Sequence, residues 1–343
     1  MTMAPAGRNR LRLVDEIVGE ITSHGGRITF ERFMEMALYH PRLGYYTGNS
    51  RIGRDGDFFT NVSVGALFGR ILAKQFLTFR DELGNPPDFR IVEFGGHHGQ
   101  LRDDVLREAP DLDYHVIENG DSIPDTISGC VFSNEFLDAL PVHRVKVVGG
   151  QWQELYVSTQ SVNGTPFVEV AGPLSSPLIE AYLRDLPAHL MEGYTTEINL
   201  RSWDWMDDIA RRLTQGYVLT IDYGHERNNH FAPHRRDGTL LCYHRHTQSA
   251  NPFEQIGLQD ITAHVEFTSL MEQGERSGLE TVLFCDQTQY ILNAGLKIIE
   301  SIATGNAGQW SPERNQIHQL MHPSMMGRAF KVMIQRKITN HEP

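Results

Sequence analysis

Cysteine is scarce in this chain. Its 343 residues include three, Cys130, Cys242 and Cys285, far apart and odd in number. No CxxC pair occurs. A disulfide framework is therefore excluded as an organising device, and a reducing compartment is the simplest setting. Long apolar runs are missing as well. No stretch reaches the about 18–20 residues needed to span a bilayer, so no membrane span is expected. Dense Lys/Arg runs are absent and the net charge is −12. Such a chain repels nucleic acid, and basic protein segments or small cationic molecules suit it better as partners. The first twelve residues are basic and lack acids, but no apolar core follows them. That excludes a secretory signal and leaves a short organellar transit segment open. His244, His246 and His264 are too sparse for a ligand set, so no metal is expected. There is no internal repeat and no low-complexity tract.

What is present fits an ordinary soluble protein, with 40% hydrophobic and 22% charged residues. The length allows one large domain or two modest ones. Residues 11–21 place Leu13, Val14, Ile17, Val18 and Ile21 on one helical face, and residues 29–38 repeat the pattern with Phe30, Phe33, Met34, Ala37 and Leu38. His40-Pro41 stops that helix. A long aromatic-rich loop follows from Gly44 to Thr60, and its length marks it as functional. Ser63 is a candidate cap for a helix carrying Val64, Leu67, Phe68, Ile71, Leu72 and Phe76.

After Asn85-Pro86-Pro87 the period changes. Apolar runs at 90–94, 114–117 and 130–133 read as strands, with a helix around Leu101, Val105 and Leu106. Alternating strand and helix signals predict a βαβ parallel sheet. Runs at 143–149, 152–157 and 166–170 read as an antiparallel insertion. Residues 203–213 read as a helix and 216–222 as another buried strand. Helices at 265–272 and 286–300 and strands at 279–285 and 329–335 close the pattern.

The chemistry-bearing segments lie at predicted strand ends. Arg90-Ile91-Val92-Glu93-Phe94 runs into Gly95-Gly96-His97-His98-Gly99, the pattern of a first strand, a cofactor loop and a helix start. Glycines let such a loop approach a ligand closely, because no Cβ intervenes. Glu118 stands just past the second strand, where an acid can accept hydrogen bonds from ribose hydroxyls; a structural turn with a solvated acid is the plainer alternative. Asn134-Glu135-Phe136-Leu137-Asp138 emerges from the third strand. On a helical turn Glu135 and Asp138 would share a face and could grip a guanidinium. Acids placed for a helix dipole are the competing account. Ile221-Asp222-Tyr223-Gly224 repeats the strand-end logic, and 257–265 is either a substrate loop or a cap for the next helix.

Several of these segments, in order, resemble one family. They are His40-Pro41-x-x-Gly44-Tyr45-Tyr46, Gly56-Asp57-Phe58-Phe59-Thr60, Val92-Glu93-Phe94-Gly95, Asn134 to Val142, Ile221-Asp222-Tyr223-Gly224, Gly238-Thr239-Leu240 and Gln259 to Val265. The set resembles the MidA family of class I S-adenosylmethionine-dependent methyltransferases, from about residue 11 to residue 335. That family includes an arginine methyltransferase of mitochondrial complex I assembly.

The resemblance implies an α/β fold: a class I, Rossmann-like methyltransferase sheet with a helical N-terminal cap and an inserted lobe. The cap would span 1–85 and the core 86–343, with the insertion at about 143–200. S-adenosyl-L-methionine is the implied cofactor. Glu93, Gly95, Gly96 and Gly99 would line its methionine end, Glu118 would hold its ribose, and Asp57, Phe58 and Thr60 would close over it. Asn134, Glu135 and Asp138 would face the methyl acceptor as catalytic residues, with Asp222, Tyr223 and His264 binding substrate. The implied reaction is N-methylation of a protein arginine. A small-molecule methyltransferase of specialised metabolism and a non-catalytic assembly factor are the alternatives. The cytoplasm is the expected location, or the mitochondrial matrix in a eukaryote, and a homodimer is among the assemblies considered. The chain departs from the family at the loop, where Gly96 replaces a proline and His97 the middle glycine. A histidine held at positive φ there would strain the loop by about 1 kcal/mol.

Overall fold

In a computed structural model, the structure describes residues 5–47, 61–159, 166–186, 191–305, 311–323 and 325–337. The expected cofactor-closing residues Asp57, Phe58 and Thr60 lie outside the described residues. The chain forms two compact units, each assembled from three separate segments. One comprises 59–137, 203–225 and 265–343; the other comprises 1–58, 138–202 and 226–264.

The first unit is built on a seven-stranded sheet. Its order is Leu279–Asp286, Phe330–Lys337, Leu213–His225, Ile127–Asn134, Arg90–Phe94, Asp113–Ile117, with Val265–Glu266 pairing beside the end of Leu213–His225. Arg90–Phe94 pairs in parallel with both Asp113–Ile117 and Ile127–Asn134, and Ile127–Asn134 with Leu213–His225. Phe330–Lys337 runs antiparallel to both its neighbours. Ile127–Asn134 is buried at every residue. A strand covered on both faces reads as a continuous run rather than an alternation. The predicted strands at 90–94, 130–133 and 216–222 are therefore the interior of this sheet and the one at 114–117 its edge, as the α/β expectation required.

The helix Leu67–Glu82 buries Leu67, Phe68, Ile71, Leu72, Phe76 and Phe79 in the core of this unit. The Phe76 ring meets Phe132 of the third strand edge-on at 5.5 Å. It thus belongs with the sheet, although the division at residue 85 grouped it with the N-terminal cap. That helix does not begin after Ser63. A short helix, Asn61–Val64, contains Ser63, and the long helix starts afresh after Ala66. Gly65, at φ +133°, separates them. The predicted helix at 265–272 also starts later, at Phe267. Val265–Glu266 joins the sheet, and the Glu266 carboxylate caps the helix by accepting from the Thr268 and Ser269 N–H groups at 2.8 and 3.0 Å.

In the second unit, the helices Pro5–Ser23 and Phe30–Tyr39 bury the two predicted apolar faces. Thr29 caps the second helix by accepting from the Arg32 N–H at 3.1 Å. The expected insertion strands form as His143–Val148, Gln151–Ser158 and Val168–Gly172, joined by Thr195–Ile198. Arg27–Thr29 adds an antiparallel strand to Gln151–Ser158. A small sheet of Leu241–His244, Thr247–Ser249 and Asp260–Thr262 belongs to the same unit. Among the described residues, no helix is long and apolar enough to cross a membrane.

Candidate active site

The glycine loop follows the first strand at the carboxyl edge of the parallel sheet. The Gly95 N–H donates to the Ile117 carbonyl at 3.0 Å, which ties the loop to the second strand. Gly96 sits where a Cβ would lie 2.6 Å from Glu93 Oε2 and 2.8 Å from Val116 Cγ1. Only glycine fits there without displacing a buried carboxyl, so the loop backbone lies flat over the strand ends. His97 occupies φ +34° at the start of a single 3-10 turn, His97–Gly99. The backbone at this position thus stays left-handed although its residue is not glycine, as the strain expectation supposed. Gly99, at φ +71°, then opens the helix Gln100–Glu108. A loop of backbone N–H groups at a helix start, after a parallel strand, is the form that receives nucleoside cofactors.

Glu93 is buried at the base of this loop. Its Oε2 accepts from the Tyr114 hydroxyl at 3.0 Å. Burial pushes its carboxyl up to about 7; the Glu118 charge adds to the rise, while the Tyr114 hydroxyl and Arg102 oppose it. Glu118 is exposed just past the second strand, and its N–H donates to Asp121 Oδ2 at 2.9 Å. An acid reachable at that strand end, beside a cradle that a Cβ would fill, fits a ribose-bearing cofactor.

At the end of the third strand, Ser133 pairs with Phe94, the last residue of the first strand, and Asn134 follows. Glu135 follows at φ +53°. This left-handed residue turns the chain, and residues 135–140 form bends and turns. The helical face expected to align Glu135 with Asp138 is therefore not formed. Glu135 Oε1 accepts from the Asn61 N–H at 2.8 Å and from Asn134 Nδ2 at 3.1 Å. Asp222, expected to bind substrate, is fully buried. Its Oδ2 accepts from the N–H groups of Phe136 and Leu137 at 3.2 and 2.9 Å, and its Oδ1 from the Tyr223 N–H at 2.9 Å. Those bonds hold the Glu135–Leu137 turn in place. Tyr223 packs its ring on Phe330, with centroids 3.9 Å apart. The rings of Phe94, Phe136 and Trp205 meet mutually at 5.6–5.8 Å beside the loop.

Asp138 and His264 belong to the other unit. Asp138 is buried there, and its carbonyl accepts from the Ala263 N–H at 2.9 Å. The Tyr46 hydroxyl donates to Asp260 Oδ1 at 2.7 Å, and the Tyr39 hydroxyl to the Ala139 carbonyl at 3.0 Å. Burial raises both tyrosines, and the charges of Asp260 and Asp138 add to it. His264 is pushed down to about 4 by burial and by Arg235, which keeps its ring neutral at pH 7. Its N–H donates to Thr239 Oγ1 at 3.0 Å, and Thr239 in turn donates to the buried Glu197 carboxylate.

Sequence reasoning missed Asn61, Gln287 and Tyr114. Asn61 and Gln287 are fully buried amides, and Gln287 Nε2 donates to Asn61 Oδ1 at 2.9 Å. A polar residue at the start of each of two helices was the only available signal, and such residues usually serve as caps.

Comparison with known proteins agrees with this geometry. Residues 111–285, half of the chain, match the family described as "Putative S-adenosyl-L-methionine-dependent methyltransferase". The Drosophila melanogaster protein arginine methyltransferase NDUFAF7 homolog, mitochondrial, is 24% identical over 90% of this chain and 81% of its own. Human protein arginine methyltransferase NDUFAF7, mitochondrial, is 25% identical over 89% and 79%. A Burkholderia thailandensis protein crystallised bound to S-adenosyl-homocysteine superposes with a TM-score of 0.88. It is 29% identical, covering 98% of this chain and 95% of that one.

Proposed function

The chain belongs to this family of S-adenosyl-L-methionine-dependent methyltransferases, and from that premise we propose that it methylates a guanidinium nitrogen of arginine in a protein acceptor. S-adenosyl-L-methionine is its cofactor. The bound cofactor supplies a methyl group made electrophilic by its sulfonium. Glu93, Gly95, Gly96 and Gly99 would hold its methionine end and Glu118 its ribose.

The observation that carries the arginine reading is Glu135. It is a carboxylate just past the end of the third strand, its Oε1 accepts from the Asn61 N–H and Asn134 Nδ2, and it begins a left-handed turn. A carboxylate there accepts from guanidinium N–H groups and concentrates the positive charge on the far nitrogens. The nitrogen left facing the methyl regains its lone pair as a proton passes to Glu135. Asn134 orients that carboxylate. Asp222 and Tyr223 are proposed as the support of that turn. The names of the relatives support a protein acceptor and a mitochondrial setting in a eukaryotic host.

The test is transfer of tritium from methyl-labelled S-adenosylmethionine into an extract of the source organism. Acid hydrolysis of the labelled protein should give methylarginine, and Glu135→Gln should abolish it. Label confined to the small-molecule fraction would instead establish the small-molecule methyltransferase. No transfer, together with no cofactor binding by the folded protein, would favour an assembly factor that has kept only the fold.

A further inference from the structure

We infer that Gln287 and Asn61 are positioning residues for methyl transfer, relaying hydrogen-bond direction from a backbone carbonyl to the Glu135 carboxylate. The relay rests on the assignment of Glu135 to the acceptor site. It starts at Leu320, whose carbonyl can only accept. Gln287 Nε2 donates to it at 3.0 Å, which fixes which end of the Gln287 amide faces inward. The same nitrogen donates to Asn61 Oδ1 at 2.9 Å. Asn61 must then present its nitrogen to Asn134, and Nδ2 donates to Asn134 Oδ1 at 3.1 Å. Asn134 in turn presents Nδ2 to Glu135 Oε1 at 3.1 Å. The Asn61 N–H reaches the same oxygen at 2.8 Å. Three amides in series therefore share one polarity, and reversing any one would set oxygen against oxygen.

Two features argue that this series serves the site. Gln287 and Asn61 are fully buried, and among the described residues Gln287 Oε1 accepts no hydrogen bond. Burying an acceptor unsatisfied is unfavourable, and an apolar residue would avoid it. The series also ends on a residue in a left-handed conformation, at φ +53°, which its surroundings must hold in place.

The experiment compares total tritium transferred from methyl-labelled S-adenosylmethionine into the extract, whatever the acceptor, with calorimetric binding of S-adenosylhomocysteine. Gln287→Met keeps the volume and removes the donor. It should leave cofactor binding unchanged and lower the turnover rate by about 10–100-fold, with KM for the cofactor unmoved. In a Glu135→Asp background, which withdraws the carboxylate from its donors, Gln287→Met should have little further effect. Asn61→Asp is the second variant. Its carboxylate would attract the Asn134 nitrogen, turn the Asn134 oxygen toward Glu135, and lower turnover in the same way. Parental turnover in both variants, or a Gln287→Met loss that adds in full to Glu135→Asp, would overturn the relay. The fraction of label recovered as methylarginine tests the arginine reading separately, because the relay is scored on total label. A parent chain that binds S-adenosylhomocysteine and transfers nothing would overturn both.

Discussion

Glu93→Gln should make the protein more stable at alkaline pH and leave it nearly unchanged in mild acid. The carboxyl sits under the glycine loop with 2% of its surface exposed. Burial raises it from 4.5 to about 7, against the opposing hydrogen bond from Tyr114. The folded state therefore binds a proton that the unfolded chain releases between pH 4.5 and about 7. Stability from this group is complete below pH 4.5, declines as pH rises through that window, and is lost above it. A separation of about 2.5 pH units, at about 1.4 kcal/mol each, amounts to about 3.5 kcal/mol. Glutamine keeps the oxygen that accepts from Tyr114 and carries no charge to desolvate. Urea unfolding of both proteins at pH 5, 6, 7 and 8 would give the difference directly. The expected gap opens from about 1 kcal/mol at pH 5 to about 3.5 kcal/mol at pH 8 in favour of Glu93→Gln. A constant gap across that range would refute the burial account and place Glu93 in contact with water or a cation.

Three further outcomes follow from the same region. Gly96→Ala puts a methyl group 2.6 Å from Glu93 Oε2 and 2.8 Å from Val116 Cγ1. It should cost about 1–3 kcal/mol and abolish calorimetric binding of S-adenosylhomocysteine; undiminished binding would show that the cofactor avoids this loop. His97→Gly relaxes a left-handed residue and should raise stability by up to about 1 kcal/mol in denaturant unfolding. A loss of stability would mean that the imidazole contributes packing that outweighs its strain. Asp222→Asn turns one charged acceptor into a donor facing backbone N–H groups, and should lower stability by about 2–3 kcal/mol. A change under about 0.5 kcal/mol would remove Asp222 from the support of the turn.

The sheet was legible because its central strands are covered on both faces. Continuous apolar runs at 90–94, 130–133 and 216–222 admit few other arrangements, and the glycine turn marks the carboxyl edge. The helix Leu67–Glu82 was legible as a helix, but its unit was not. Periodicity shows that a face is buried without showing against what. The pairing of Arg27–Thr29 with Gln151–Ser158 was invisible, because three residues carry no period and their partner lies far along the chain. Glu135 and Asp138 were paired on the assumption of a helical turn, and only the backbone reveals the left-handed Glu135 that prevents it. Asn61 and Gln287 were missed for a related reason. A buried amide is useful through its partners, and partners distant in sequence leave no local pattern.

The alternation of the chain between two units has a consequence for its inheritance and dissection. Unit membership changes near residues 58, 137, 202, 225 and 264. A single nick between residues 58 and 265 separates segments of both units, so one protease cut there releases neither as an intact fragment. A recombination event with one breakpoint in that span likewise cannot exchange one unit for another version. A library built on single cuts or single breakpoints in that span will therefore not take the two units apart.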